Sequence, residues 1–183
     1  MKGMIFTEFL EMVEDLFGDE VVDNIIEASD LPSGGAYTAV GTYDHSEIVQ
    51  LVTHLSTKTG MAVPDLLKAY GKHLFGRFST GYHHFFLGTA TLFDFLKGIH
   101  SYIHVEVHKL YPDAELPHIV CEQRGAKQLT VVYQSGRPFA DFAEGLLLGA
   151  VAHFGEPVHL ERIQTPQDSA KSATFLLTKT TEV

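Results

Sequence analysis

Three of the eleven histidines, His100, His104 and His108, recur at every fourth position. In a helix, residues four apart stand one turn above another on nearly the same face. Two neutral imidazoles so placed can share one metal ion. The segment His104-Val105-Glu106-Val107-His108 superficially resembles a zinc-protease helix, but that motif needs its Glu directly after the first His. Glu106 comes two residues on, about 200° around the helix, and faces away from a shared ion. Zinc hydrolysis is therefore a poor fit. A metal-dependent enzyme of another kind using the His100/His104/His108 stripe remains one reading, and histidines bordering an apolar stripe are the plainer one.

A second constellation is Tyr133-Gln134-Ser135-Gly136-Arg137. Alternation along a strand sends Tyr133 and Ser135 to one face, with Arg137 close behind. Two hydroxyls and a guanidinium fork converging there suit a carboxylate or a phosphate. The plainer alternative is a strand edge carrying an exposed arginine.

These residues need elements to position them. Residues 4–17 have the period of a helix, with Ile5, Phe9, Met12, Val13 and Leu16 on its apolar side. Further helices are expected over about 19–29, 46–58 and 64–78, the last opened by Pro64. Ser33-Gly34-Gly35 marks a turn, and Tyr37–Tyr43 is short and β-leaning. One long helix should run from about Thr91 to Tyr111, with Leu92, Phe95, Leu96, Ile99, Ile103, Val107 and Leu110 as its stripe and Pro112 ending it. Alternation then predicts antiparallel strands at His118–Gln123 and Gln128–Ser135, joined at Gly125. A helix from Pro138 to Phe154 follows, and two strands at about 157–164 and 173–180 are expected at an edge of the same sheet. Helices first and sheet later read as an α+β fold.

The 183 residues suit one domain, and 45% hydrophobic with 20% charged residues excludes disorder. Net charge is −10, and residues 1–60 hold eleven acids against only Lys2 and Lys58. Such a face repels phosphate backbones, so nucleic acid is not an expected partner. A solvated helix surface explains the acids most simply; a docking face for a basic partner is the alternative. No apolar run approaches the ~20 residues that span a bilayer, and Glu8, Glu11, Glu14 and Asp15 stand where a signal peptide would be apolar. A single cysteine, Cys121, favours a reducing compartment. The expectation is a cytoplasmic domain with no membrane partner.

Across nearly the whole chain the sequence resembles the haem nitric oxide/oxygen binding (H-NOX) family. The resemblance rests on Met1-Lys2-Gly3, Ile103-His104-Val105-Glu106-Val107, Lys109-Leu110-Tyr111 and Leu116-Pro117. It continues through Tyr133-Gln134-Ser135-Gly136-Arg137 and Ala143-Glu144-Gly145-Leu146. It implies a single domain over residues 1–183, with a helical lobe (1–60), a C-terminal lobe (61–183) and haem b between them. His104 corresponds to the axial ligand of the iron. Tyr133, Ser135 and Arg137 correspond to the triad that hydrogen-bonds the haem propionates. Ile5 and Pro117 match positions that press on the porphyrin, and His100 lies one turn before the ligand. The rest of the pocket would be lined by Phe9, Leu74, Phe78, Phe142 and Leu146.

Oxygen-binding members of the family carry a tyrosine where this chain has Phe142, and a supporting polar residue at the position of Leu74. Loss of that donor should cost bound oxygen roughly 1.5–3 kcal/mol, about 10- to 100-fold in affinity. The resemblance therefore implies a non-enzymatic sensor with nitric oxide and carbon monoxide as ligands. The chain shows no nucleotide fingerprint, kinase or cyclase signature, so the output is expected in trans, and the resemblance implies a histidine kinase or a cyclic-di-GMP enzyme as the partner. A haem store without signalling is the remaining alternative.

Overall fold

The computed structural model describes residues 1–180; the last three residues of the expected C-terminal lobe, 181–183, lie outside the described residues. The chain divides into two compact units inside a helix, one ending at Tyr70 and the other starting at Gly71. The division expected from the sequence lay ten residues earlier, at 60/61. No helix among the described residues is long and apolar enough to cross a membrane.

The first unit is helical. Helix α1 (Met4–Phe17) buries Phe6, Phe9, Met12 and Val13 and ends at Gly18, whose φ of 89° favours glycine. Leu16, expected on the apolar side, is exposed in the last turn of α1. Helix α2 (Asp19–Glu27) follows at once. Helix α3 (His45–Thr59) is capped by the Asp44 carboxylate, which accepts from the Ser46 N–H at 2.7 Å, and it stops at left-handed Gly60. Its Ile48, Leu51, Val52 and Leu55 complete the packing.

The expected β-leaning stretch Tyr37–Tyr43 forms no strand; only an isolated bridge joins Lys2 to Thr42. Its aromatics serve packing instead of a ladder. Tyr37 stacks on Phe6 at 4.5 Å, and Tyr43 meets both rings edge-on. Tyr37 also donates to the buried Glu47 carboxylate, and burial, more than the charge of Glu47, pushes its phenol up to about 12.

Helix α4 (Val63–Gly81) spans the division between the units. In the second unit, a 3₁₀ turn (His83–Phe86) leads to α5 (Leu92–Gly98), a π turn (Ile99–Ile103) and α6 (His104–Leu110). The expected single helix is thus continuous in path but interrupted in pitch. The added residue per turn rotates everything after it. Leu92, Phe95 and Leu96 are buried, Ile99 and Ile103 are half-buried, and Leu110 is exposed.

Strands β1 (His118–Arg124), β2 (Gln128–Gln134), β3 (Val158–Ile163) and β4 (Ser172–Lys179) make an antiparallel sheet in the order β1-β2-β4-β3. The last strand therefore lies inside the sheet and only β3 forms that edge. Paired residues Leu129/Leu177, Val131/Phe175 and Tyr133/Ala173 point into one core. That core is closed by α5 and by α7 (Ala140–Phe154). The architecture is α+β.

Two local contacts fix the elements that carry the candidate site. Helices α4 and α7 touch through glycines. A Cβ on Gly71 would stand 2.2 Å from the Phe142 carbonyl oxygen, and one on Gly149 would stand 2.6 Å from Cβ of Phe75. Gly71→Ala should therefore cost about 1–3 kcal/mol despite the better helix propensity of alanine, because the obstructing atoms are backbone. Chemical denaturation of the variant checks this, and an unchanged midpoint would refute the close approach.

The start of α5 is the second contact. The Leu92 N–H donates to Oε1 of Glu156 at 2.6 Å, and Lys179 Nζ lies 2.7 Å from Oε2. Burial disfavours the ionised form, but the Lys179 and Leu92 hydrogen bonds outweigh it and hold the carboxyl below the ordinary glutamate value of 4.5. A depressed pKa stabilises the fold above the unfolded value, and that stabilisation disappears as pH falls through the folded value. Glu156→Gln should thus destabilise by about 1 kcal/mol at pH 7. The gap between variant and parent should close below pH 4.5 when urea midpoints are followed against pH.

Candidate functional site: an imidazole and a carboxylate cradle

The π turn sets the position of His104. The His104 N–H donates to the Ile99 carbonyl, five residues back, and His104 is the first residue of α6. With α5 anchored in the core through Leu92, Phe93, Phe95 and Leu96, this turn absorbs the change in register. The imidazole of His104 is largely buried, and its Nδ1 has no hydrogen-bond partner. Burial above all, with the neighbouring His100 and His108 adding like charge, pushes its pKa down to about 4. At neutral pH the ring is uncharged, the form that ligates a metal.

His104 lines an open cleft of about 220 Å³ together with His100, His108, Leu116, Pro117 and His118. The structure therefore brings His100 and Pro117, both expected near the ligand, to the same cleft. His100 stands 6.1 Å from His104 between ring centres and 4.8 Å from His118. The histidine stripe acquires its fourth member from β1, not from its own helix. Among the described residues no group of three or more His, Cys, Asp or Glu side chains is gathered to hold a metal ion. Glu106 is engaged by Lys109 at 2.6 Å.

The expected triad does converge. Tyr133 is buried at the end of β2, and its hydroxyl is hydrogen-bonded to Ser135. Burial raises the Tyr133 pKa, opposed by that hydrogen bond and by the positive Arg137. The Ser135 N–H donates to the Lys171 carbonyl at 2.9 Å, and Ser135 Oγ accepts from the Arg137 N–H at 3.1 Å. The Arg137 side chain is only 15% exposed. Its guanidinium donates to the Glu115 carbonyl at 3.1 Å and to Oε2 of Glu115 at 2.5 Å. Glu115 is 81% exposed. Arg137 thus already grips an acid that solvent surrounds, which is the chemistry that a propionate requires.

The remaining expected residues are distributed over both units. Ile5 and Phe9 lie on α1; the Ile5 carbonyl accepts from Tyr70, and Phe9 packs edge-on to that ring at 5.2 Å. Leu74, fully buried, and half-buried Phe78 lie on α4, while half-buried Phe142 and Leu146 lie on α7. The Gly71 contact reaches the backbone of both Phe142 and Leu146, so α4 and α7 approach closely at that level. Sequence reasoning missed His118 and Glu115. The adjacency of His118 to Pro117 was a usable signal, whereas nothing in the local sequence pairs Glu115 with an arginine 22 residues on.

Residues 2–162 match the family model described as Haem-NO-binding. No curated protein matches the sequence. Among solved structures, the Fe(II) unliganded H-NOX protein of K. algicida is 40% identical, with 100% of this chain and 98% of that one covered at a TM-score of 0.92. The H-NOX of Shewanella woodyi, solved in the Fe(II)CO state with IWP-051 bound, is 43% identical over 98% of this chain and 95% of its own, at 0.84. The S. oneidensis H-NOX in the Fe(II)NO state is 28% identical over 99% and 100%, at 0.89. A family model covering most of the chain and two relatives at 40% identity or more agree with the neutral imidazole and the carboxylate cradle: this chain belongs to the Haem-NO-binding, or H-NOX, family.

Proposed function

We propose that this protein is a haem-based sensor of nitric oxide in which His104 is the sole protein ligand to the iron. Haem is the cofactor of the family. Haem, held by His104 and by Tyr133, Ser135 and Arg137, would supply an iron that binds diatomic gases. The observation that carries the proposal is the state of His104: a largely buried, uncharged imidazole with a ring nitrogen left unpaired. Such a group is costly in a folded core unless something coordinates it or bonds to it.

Tyr133, Ser135 and Arg137 supply the opposite requirement, holding the propionates by charge-assisted hydrogen bonds. Support comes from their convergence and from the carboxylate that Arg137 already grips. Pro117, on the wall shared with His104, and Ile5 press on the porphyrin by family correspondence. The rest of the pocket follows the same correspondence: Phe9, Leu74, Phe78, His100, Phe142 and Leu146.

Gas choice follows from Phe142 and Leu74. Neither carries a hydrogen-bond donor, so oxygen gains no support while nitric oxide and carbon monoxide need none. The Fe(II)NO state of the S. oneidensis relative and the Fe(II)CO state of the Shewanella woodyi relative support these two ligands. No residue is assigned a catalytic role. The response passes to a separate signalling protein, a histidine kinase or a cyclic-di-GMP enzyme by family resemblance. By linkage, that partner must change nitric oxide affinity by the factor by which nitric oxide changes its own binding.

The test is ligand replacement. His104→Gly should lose most of its haem on purification and recover a Soret band when imidazole is added, while His100→Gly keeps haem. The reverse pattern would reassign the ligand. Arg137→Ala should release haem to an apo-globin trap roughly 10-fold faster or more, matching the loss of a charged hydrogen bond, at unchanged circular dichroism. Phe142→Tyr restores a donor and should raise oxygen affinity by about 10- to 100-fold, read as an oxygen-dependent Soret shift in air.

A further inference from the structure

Strand β3 carries a charge where its alternation calls for an apolar side chain. Val158, Leu160 and Arg162 share one face of the strand, and Val158 and Leu160 pack against the core. The β4 partners on that face, Leu177 opposite Leu160 and Phe175 opposite Arg162, are fully buried. Taking Tyr133, Ser135 and Arg137 as the propionate cradle proposed above, we infer that Arg162 is a positioning residue for that cradle, acting through the β3–β4 loop.

The two terminal nitrogens of Arg162 reach different segments. Nη1 lies 3.0 Å from Oδ1 of Asp141 and 3.9 Å from Oε2 of Glu144, both in the first two turns of α7. Nη2 donates to the Ser169 carbonyl at 3.3 Å, in the loop that joins β3 to β4. One planar fork therefore fastens the loop to the start of α7, a reach in two directions that a single ammonium cannot reproduce.

The next two residues of the loop hold the cradle. The Ala170 carbonyl accepts from the Ala140 N–H and the Lys171 carbonyl accepts from the Ser135 N–H, each at 2.9 Å. Residues 135–140, which include Ser135 and Arg137, are thus bracketed at their two ends by consecutive carbonyls of one loop. Bonds inside the loop carry the position of Ser169 onward. Ser169 and Ser172 form an isolated bridge, and the Lys171 N–H donates to Ser169 Oγ at 3.1 Å. An inward charge that only guarded the sheet edge would need the acids of α7 but not the Ser169 carbonyl.

The test reads the bracketed amides in the full-length protein with its haem content recorded. Hydrogen exchange at the Ser135 and Ala140 N–H groups, taken relative to the β2 amides of Leu129 and Val131, should rise roughly 10-fold in Arg162→Met, matching the loss of a charge-assisted hydrogen bond. Arg162→Lys keeps the charge beside Asp141 and Glu144 but loses the second arm, so it should show the same faster exchange. Glu156→Gln, which weakens the fold away from the loop, should leave this ratio at the parent value. Haem release to an apo-globin trap should quicken about 3- to 10-fold in Arg162→Met, yet by less than about 2-fold when Arg137→Ala is already present, because coupled residues do not add. Unchanged exchange at both amides in the two Arg162 variants would overturn the inference, as would an equal rise in Glu156→Gln or equal quickening of haem release in both Arg137 backgrounds. The amide measurement holds with or without haem, so its failure overturns the role of Arg162, whereas a protein free of haem overturns the cradle reading.

Discussion

Keeping one imidazole uncharged inside a folded domain is the constraint on which the candidate site depends. Water favours the protonated form of histidine below its ordinary value of 6.5, and burial of His104 moves that boundary to about 4. The burial is itself a product of the backbone. Helix α5 is locked into the core by four apolar side chains, and the π turn rotates the chain just enough that the next residue turns inward. A regular helix would have carried the stripe onward to Leu110, which instead is exposed. Local pitch, core packing and the protonation state of His104 thus form one causal chain.

The carboxylate cradle depends on the sheet in the same way. Tyr133 is inward because alternation in β2 places Leu129, Val131 and Tyr133 on the core face, in register with β4. The strand ends one residue later, and the Ser135 N–H bonds to the Lys171 carbonyl, one step beyond the Gln134–Ser172 pair with β4. Ser135 then bonds to both its neighbours in the triad, fixing Arg137 at its root while the guanidinium at its tip holds Glu115. An uncharged ring nitrogen and a cationic donor that grips a carboxylate are opposite electrostatic demands, met here by separate elements of one unit.

Much of this was legible in the sequence because it depends on short-range periodicity. The stripe Leu92, Phe95 and Leu96, the alternation in β1 and β2, and the span of α3 all follow from local chemistry. The triad was legible because its three members lie within five residues. What escaped depends on register or on distant contacts. A π turn has no local signature in Ile99–Ile103, and Tyr37–Tyr43 carries strand-like aromatics whose burial is against α1. Placement of β4 inside the sheet is a matter of long-range pairing, and the Glu115–Arg137 and His100–His118 contacts each join separate elements.

The central claim is that one histidine, and no second protein ligand, completes the coordination of a ferrous haem iron in this chain. The absorption and magnetic circular dichroism spectra of the dithionite-reduced protein test it most directly. The account predicts a high-spin, five-coordinate ferrous haem at one equivalent per chain, which takes up carbon monoxide and nitric oxide without displacing another side chain. A low-spin, six-coordinate ferrous spectrum would show that a second residue ligates the iron, and a protein free of haem would remove the account altogether.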